Sequence, residues 1–433
     1  MLSRDGRPVL VRGGRVIDST GSREVDVLVV DGAIAALGDV AGVAPGTSLV
    51  LDASGCIVSP GLVDLHTHLR EPGREDAETV ETGARAAALG GFTAVVAMPN
   101  TEPAIDTASV VSRVFDLGRR SCCEVFPAGA ITLGRAGKQL APMAEMAALG
   151  VRIFTDDGNG VQDSRLMRRA MEYSTALGVT LAEHCEDAAL AAGGHMHEGE
   201  WSARLGLAGQ PAEAEELMVM RDLALARLSG AKLHFLHLST AGSLAMVAAA
   251  KRSGMSVTAE VAPHHFTLTD ASVASYDPVF KVNPPLRSDA DVAAVKAALA
   301  DGTADAIATD HAPHPPHTKE APFDAAPPGM LGLETALALA MTELDIPIEK
   351  VLKAMSWRPS TIAGIGGSHG GPVAVGRAAN LCVIDPLVRW VVDAGQTASK
   401  SRNNPYAGRE LTGRVRHTVC RGEAVVVSGE AQR

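Results

Sequence analysis

The chain has 433 residues, of which 46% are hydrophobic and 21% charged, with 44 glycines and only 3% aromatics. This is the make-up of a soluble α/β protein too long for one average domain, and it excludes extensive disorder. A formal net charge of -11 argues against a broadly basic nucleic-acid surface and leaves open only a local basic pocket for an anion.

The opening stretch "MLSRDGRPVLVRGG" is broken by charge and glycine too often for a signal peptide. Nowhere do about 18 uncharged apolar residues run together, so no membrane span is expected. The six cysteines, Cys56, Cys122, Cys123, Cys185, Cys382 and Cys420, have neither paired metal spacing nor disulfide density. A reducing cytoplasm fits them.

Residues 1–57 read as short strands, "VLVRGGRVI", "EVDVLVVDGAIAAL" and "TSLVLDASGCIV", with Asp31-Gly32 marking a hairpin. Over 58–375 buried apolar strands alternate with Ala-rich helical stretches, the pattern of repeated βα units around a parallel sheet. Eight strand candidates follow in order: "CIVSPGLVDLH", "FTAVVAMPN", "EVFPAGAI", "VRIFTDD", "VTLAEH", "KLHFLHLS", "SVTAEVAPHH" and "ADAIATDH". Helices are predicted at "AETVETGARAAALG", "SRLMRRAMEYSTALG" and "AEAEELMVMRDLALARLSG". Roughly 250 positions separate His66 from His314, the length of a (β/α)8 barrel. Residues 376–433 return to short strands, "AANLCVIDP" and "GRVRHTVCRGEAVVVSGE". The expected architecture is a (β/α)8 TIM-like barrel over 58–375 beside a small β-sandwich built from 1–57 and 376–433.

Polar residues cluster where these strands end. In "VDLHTHLREPG", side chains two apart share one side of a strand, so His66, His68 and Arg70 face together. Asn100 follows the second strand, Asp156 and Asp157 end the fourth, His184 the fifth, His237 the sixth and Asp310 the eighth. An isolated His-x-His is more often a hydrogen-bonded structural pair. Four histidines and carboxylates converging on one barrel mouth instead suit a borderline cation such as zinc.

As a set, "GLVDLHTHLREPG", "MPNT", "FTDDG", "AEHCED", "FLHLS", "VNPPLR", "ATDHAPH" and "APPGMLGLET" resemble the dihydroorotases of the amidohydrolase superfamily, in their class I or bacterial long form. The motifs keep the family's order from about residue 60 to 335, and a β unit split between the termini is also the family's architecture.

The resemblance implies a zinc enzyme with two ions per subunit that interconverts N-carbamoyl-L-aspartate and L-dihydroorotate in pyrimidine biosynthesis. His66, His68 and Asp310 would hold the first metal, His184 and His237 the second, and Asp157 would bridge. The offset of Asp157 from His184 matches the family's bridging aspartate, which leaves Asp156 a supporting role. Hydantoinase-type relatives bridge with a carboxylated lysine, and no lysine lies in Val151 to Gly160. Asp310 would serve as general base and then acid. Arg70 would clamp the substrate carboxylate, with His68, Asn100, Asn283, His314 and the backbone of Pro328 and Gly329 as further contacts. The family usually has an aromatic where Pro328 stands. His195, His197, His317, His369 and His417 read as loop or surface residues, while His234, His264, His265 and His311 read as groups that orient neighbours. Association with aspartate carbamoyltransferase and a homo-oligomer are expected partners, with no nucleic acid and no membrane. The rival readings are a hydantoinase-type cyclic amidase and an inactive dihydroorotase-like scaffold for the transferase.

Overall fold

The computed structural model describes residues 7–38, 40, 42 and 47–432, so the first six residues of the amino-terminal stretch lie outside it. At its centre are eight strands: β1 (Leu62–Thr67), β2 (Phe92–Ala97), β3 (Glu124–Pro127), β4 (Ile153–Phe154), β5 (Thr180–Glu183), β6 (Lys232–Phe235), β7 (Val257–Val261) and β8 (Ala306–Ile307). β1 to β3 form one parallel sheet and β4 to β8 a second, each in chain order. Isolated parallel bridges, Gly129 to Phe154 and Thr67 to His311, join the two sheets at their edges.

Along β2 the side chains divide by alternation: Ala94 and Val96 enter an inner cluster with Val63, Leu65 and Ala182, while Val95 and Ala97 face the outer core. Burial on both faces explains why these strands are continuous apolar runs.

The predicted helices are present, and their ends follow local chemistry. Thr79 caps Val80–Leu89, its side chain accepting from Thr82 N at 3.2 Å. Asp163 likewise caps Ser164–Leu177, which Gly178 closes at φ 70°. That second helix buries Met167, Ala170 and Met171; a fully buried Met contributes about 1.5–3 kcal/mol.

Two further sheets come from the chain ends. One has the order Ala33–Gly38, Asp26–Val30, Val9–Arg12, Leu49–Asp52. The other runs Glu430–Ala431, Glu423–Val427, Glu410–Cys420, Leu381–Val391, Ile57–Pro60, Arg15–Asp18, Gly21–Glu24. They share one apolar core, with Val9, Val27 and Leu51 from the first and Val16, Val58 and Val383 from the second. Asp31-Gly32 makes the expected two-residue turn, with φ 49° and 80° between paired Val30 and Ala33.

One boundary moves. The run "CIVSPGLVDLH" is two strands: Ile57–Pro60 pairs with Leu381–Ile384, and β1 starts only at Leu62. A division after residue 57 therefore falls inside a strand, and the chain changes sheets at Gly61. A Cβ at Gly61 would lie 2.2 Å from the Thr93 side chain, so the crossing needs glycine. Continuous apolarity conceals such a change of sheet. Among the described residues no helix is long and apolar enough to cross a membrane.

Candidate active site

The carboxyl ends of the parallel strands bring His66, His68, Asp157, His184, His237 and Asp310 together, all of them buried. Asp157 is at the centre. Its Oδ1 lies 3.4 Å from His66 Nε2 and 3.7 Å from both His184 Nδ1 and His237 Nε2, and its Oδ2 lies 3.6 Å from His68 Nε2. Asp310 Oδ1 is 3.1 Å from His68 Nε2 and 3.6 Å from His66 Nε2. Two groupings could each hold a metal ion, His66, His68 and Asp157, and Asp157, His184 and His237.

The donor set fits a cation. His66 Nε2 and His237 Nδ1 are buried without a hydrogen-bond partner, a costly state for a nitrogen that nothing else engages. Burial opposes charge on Asp157, but the imidazoles of His66, His237 and His68 outweigh it and hold the carboxyl well below the usual range. Backbone strain gathers here too: Arg70, His237 and Asp310 have φ of 61°, 29° and 47°, a conformation that costs non-glycine residues about 1–3 kcal/mol each.

Neighbouring residues fix these side chains. His66 Nδ1 is 3.0 Å from Glu260 Oε1, and Glu260 Oε2 is 3.0 Å from His234 Nε2, so His234 orients His66 through Glu260. Burial raises the Glu260 pKa, but His234 and His66 bring it down to about 2, so it stays ionised. His68 Nδ1 is 2.9 Å from Asn100 Oδ1. Asp156 faces away from the cluster: its Oδ1 accepts from Ile131 N at 2.9 Å and Thr132 N at 3.0 Å, and its Oδ2 from Thr132 Oγ1. Arg135 donates to the Asp157 carbonyl at 2.7 Å.

A second group lies beside the cluster. Arg70 donates from Nε to Pro313 O at 3.2 Å, and its Nη2 is 3.4 Å from His314 Nε2. His314 Nε2 donates to Pro328 O at 2.8 Å. Burial, with Arg70 and Lys319 nearby, pushes the His314 pKa down, so its ring is neutral. Burial and Arg74 lower Arg70 to about 10, which leaves its guanidinium charged near neutrality. Gly329 has φ 143°, and a Cβ there would meet Ala312 and His314 at 2.8 Å. Asn283 Nδ2 donates to Glu186 Oε2 at 2.7 Å and lies 3.4 Å from His184 Nε2.

Glu260, Glu186, Arg135 and Lys319 are absent from the sequence reading. Glu260 left a trace, a lone acid inside the apolar run "SVTAEV". Lys319 donates to the carbonyls of Pro278, Lys281 and Pro327 at 3.0, 3.3 and 2.8 Å, a local knot without a motif. Two histidines read as loop or surface are buried: His369, between Thr93 and Glu124, and His417, within a strand of the seven-stranded sheet. Their partners come from distant segments, which a local reading does not see.

A dihydro-orotase-like family model matches residues 55–243. The chain is 50% identical over 434 residues to a dihydroorotase of Streptomyces coelicolor, covering 97% of this chain and 99% of that one. To a dihydroorotase of Mycobacterium leprae it is 50% identical over 423 residues, with 96% and 97% covered. Among solved structures, the L-hydantoinase (dihydropyrimidinase) of Arthrobacter aurescens superposes with a TM-score of 0.88 at 27% identity, over 100% of this chain and 98% of that one.

Proposed function

Because the chain belongs to the dihydroorotase family and is a cyclic amide hydrolase of that family, we propose a division of labour among its own residues for the interconversion of L-dihydroorotate and N-carbamoyl-L-aspartate. The observation that carries the proposal is Asp157, set within 3.4–3.7 Å of four imidazoles with Asp310 alongside. His66, His68 and Asp310 would hold one zinc ion, His184 and His237 a second, and Asp157 would lie between them. Bound there, divalent cations polarise an amide carbonyl and acidify a water.

The protein's own groups do the rest. Asp310 takes the proton of the attacking water on Oδ2, the oxygen turned away from His68, and passes it to the leaving ring nitrogen. Arg70 pairs with the substrate carboxylate, a buried charge-assisted contact that is stronger than a neutral hydrogen bond. Neutral His314, Asn100, Asn283, His68 and the backbone at Pro328 and Gly329 orient the ring.

The same proposal reads the eight parallel strands as a closed (β/α)8 barrel, which the edge bridges support. The termini then form a β-sandwich domain that extends through Pro60. It also takes in pyrimidine biosynthesis in a reducing cytoplasm, supported by six cysteines that are all buried, and assembly as a homo-oligomer or with aspartate carbamoyltransferase. The likeness to a hydantoinase favours one second reading, a hydantoin-cleaving enzyme; the half-buried Arg70 beside the cluster and the absence of lysine in Val151 to Gly160 speak for a carboxylate-bearing substrate and a direct aspartate bridge. The test is turnover of L-dihydroorotate and of simple hydantoins before and after chelation. Chelator-sensitive turnover of dihydroorotate is expected, and a preference for hydantoins overturns the substrate assignment.

A further inference from the structure

The two backbone segments that carry His314 and Gly329 begin as a parallel pair. His311 is bridged to Met330, and Ala312 N donates to Met330 O at 2.8 Å. The ladder goes no further: Ala312 O and His314 N, the groups that would continue it, both bond to the Asn403 side chain instead. Asn403, from the carboxyl-terminal part of the chain and only 5% exposed, fills the gap. Its Nδ2 donates to Ala312 O at 2.9 Å and to Gly329 O at 3.0 Å. Its Oδ1 accepts from His314 N at 3.2 Å, and its own carbonyl accepts from Leu331 N at 3.0 Å. One side-chain amide thus supplies the pairing that the two diverging segments cannot give each other, with both of its donors used.

Asn403 is itself anchored. Ser401 Oγ donates to Ala77 O at 2.8 Å, Lys400 N donates to Glu78 Oε1 at 3.2 Å, and Ser399 donates to the same carboxylate. The clearance it maintains is small, since the Cβ position of Gly329 is 2.8 Å from His314 Nε2. A small shift of either segment therefore displaces His314 from the Pro328 carbonyl and from Arg70.

We infer that Asn403 is a positioning residue for substrate binding, setting the separation of His314 and Gly329 from the far end of the chain. This rests on the placement of His314 and Gly329 at the substrate, proposed above. The hydrogen bonds of Asn403 go to His314, Ala312, Gly329 and Leu331 and not to the ligand cluster or Asp310, so its loss acts on KM and spares kcat and metal content.

The test is steady-state kinetics on the full metal-loaded enzyme with Asn403→Leu, which keeps size but removes all side-chain hydrogen bonds, and Asn403→Asp, which keeps one acceptor in case the first fails to fold. Expected is a rise of about tenfold in KM for L-dihydroorotate with kcat within about threefold of the parent. A folded variant that loses thermal stability while KM stays within about twofold marks Asn403 as merely structural and overturns the inference. His314→Ala runs alongside. If it raises KM and the Asn403 variants do not, only this inference falls; if it too leaves KM unchanged, the proposed substrate site falls and takes the inference with it.

Discussion

At the mouth of the parallel strands and in the two terminal sheets, buried histidines and carboxylates are treated differently. In the terminal sheets His417 is satisfied on both nitrogens, Nε2 against Asp52 O and Nδ1 accepting from Ser428 N, each at 3.1 Å. Asp18 there is fully engaged by Thr20, Arg23 and Val373. At the mouth His66 Nε2, His237 Nδ1 and His264 Nε2 have no hydrogen-bond partner, and among the described residues the one such atom in the terminal sheets or their flanks is Ser48 Oγ. One region spends its polar groups on holding its own fold. The other keeps them available, in strained backbone, for a ligand the fold does not contain.

The contrast breaks most decisively at Asp310. Asp310→Asn, reloaded with metal, should cut turnover by about 10²- to 10⁴-fold, the usual contribution of a positioned proton carrier, while the melting temperature stays near that of the parent. Near-normal kcat in a folded, metal-loaded variant would return Asp310 to the role of ligand alone.

The adjacent aspartates sharpen the contrast within two residues. Asp157→Ala should lose at least one metal ion per chain and with it most activity, because His184 and His237 alone fall short of the three protein ligands usual for catalytic zinc. Asp156→Ala should keep its metal and lose about 1–3 kcal/mol of stability, since it strands the N–H groups of Ile131 and Thr132. Metal per chain, measured on both variants beside chemical denaturation, decides the matter; loss of metal from Asp156→Ala alone would reverse the assignment.

A smaller effect is expected at Arg70. Arg70→Met should lower kcat/KM for dihydroorotate by about 10- to 100-fold, as for a charged hydrogen bond, and leave the inhibition constant of a carboxylate-free ring analogue nearly unchanged. Equal losses for both ligands would make Arg70 a structural arginine.

The least effect on activity should come from the terminal sheets. Leu51 is fully buried in its core, and Leu51→Ala should cost about 2–5 kcal/mol of stability with kcat and KM unaltered at temperatures where the variant is folded. A matching fall in kcat would show that the two regions are coupled more tightly than their separate cores suggest.

Some of this was decided by local chemistry, and the sequence states it openly. The Asp31-Gly32 hairpin follows from which residues tolerate positive φ, the helix ends from Asp163 and Gly178, and the shared side of His66 and His68 from the two-residue period of a strand. Strand ends mark the mouth because a packed parallel sheet exposes its polar termini only there, so the residues now gathered around Asp157 were all visible as strand-end groups. Period alone says that Asp156 and Asp157 point opposite ways; which one points inward is settled by the N–H groups of Ile131 and Thr132, which capture Asp156 from the neighbouring segment. Glu260 beneath His66, His314 beside Arg70, the change of sheet at Gly61 and Asn403 between two diverging segments belong to the tertiary structure alone. Each depends on a contact between residues tens to hundreds of positions apart, and a hydrogen bond or a close approach of that kind leaves no period in the chain.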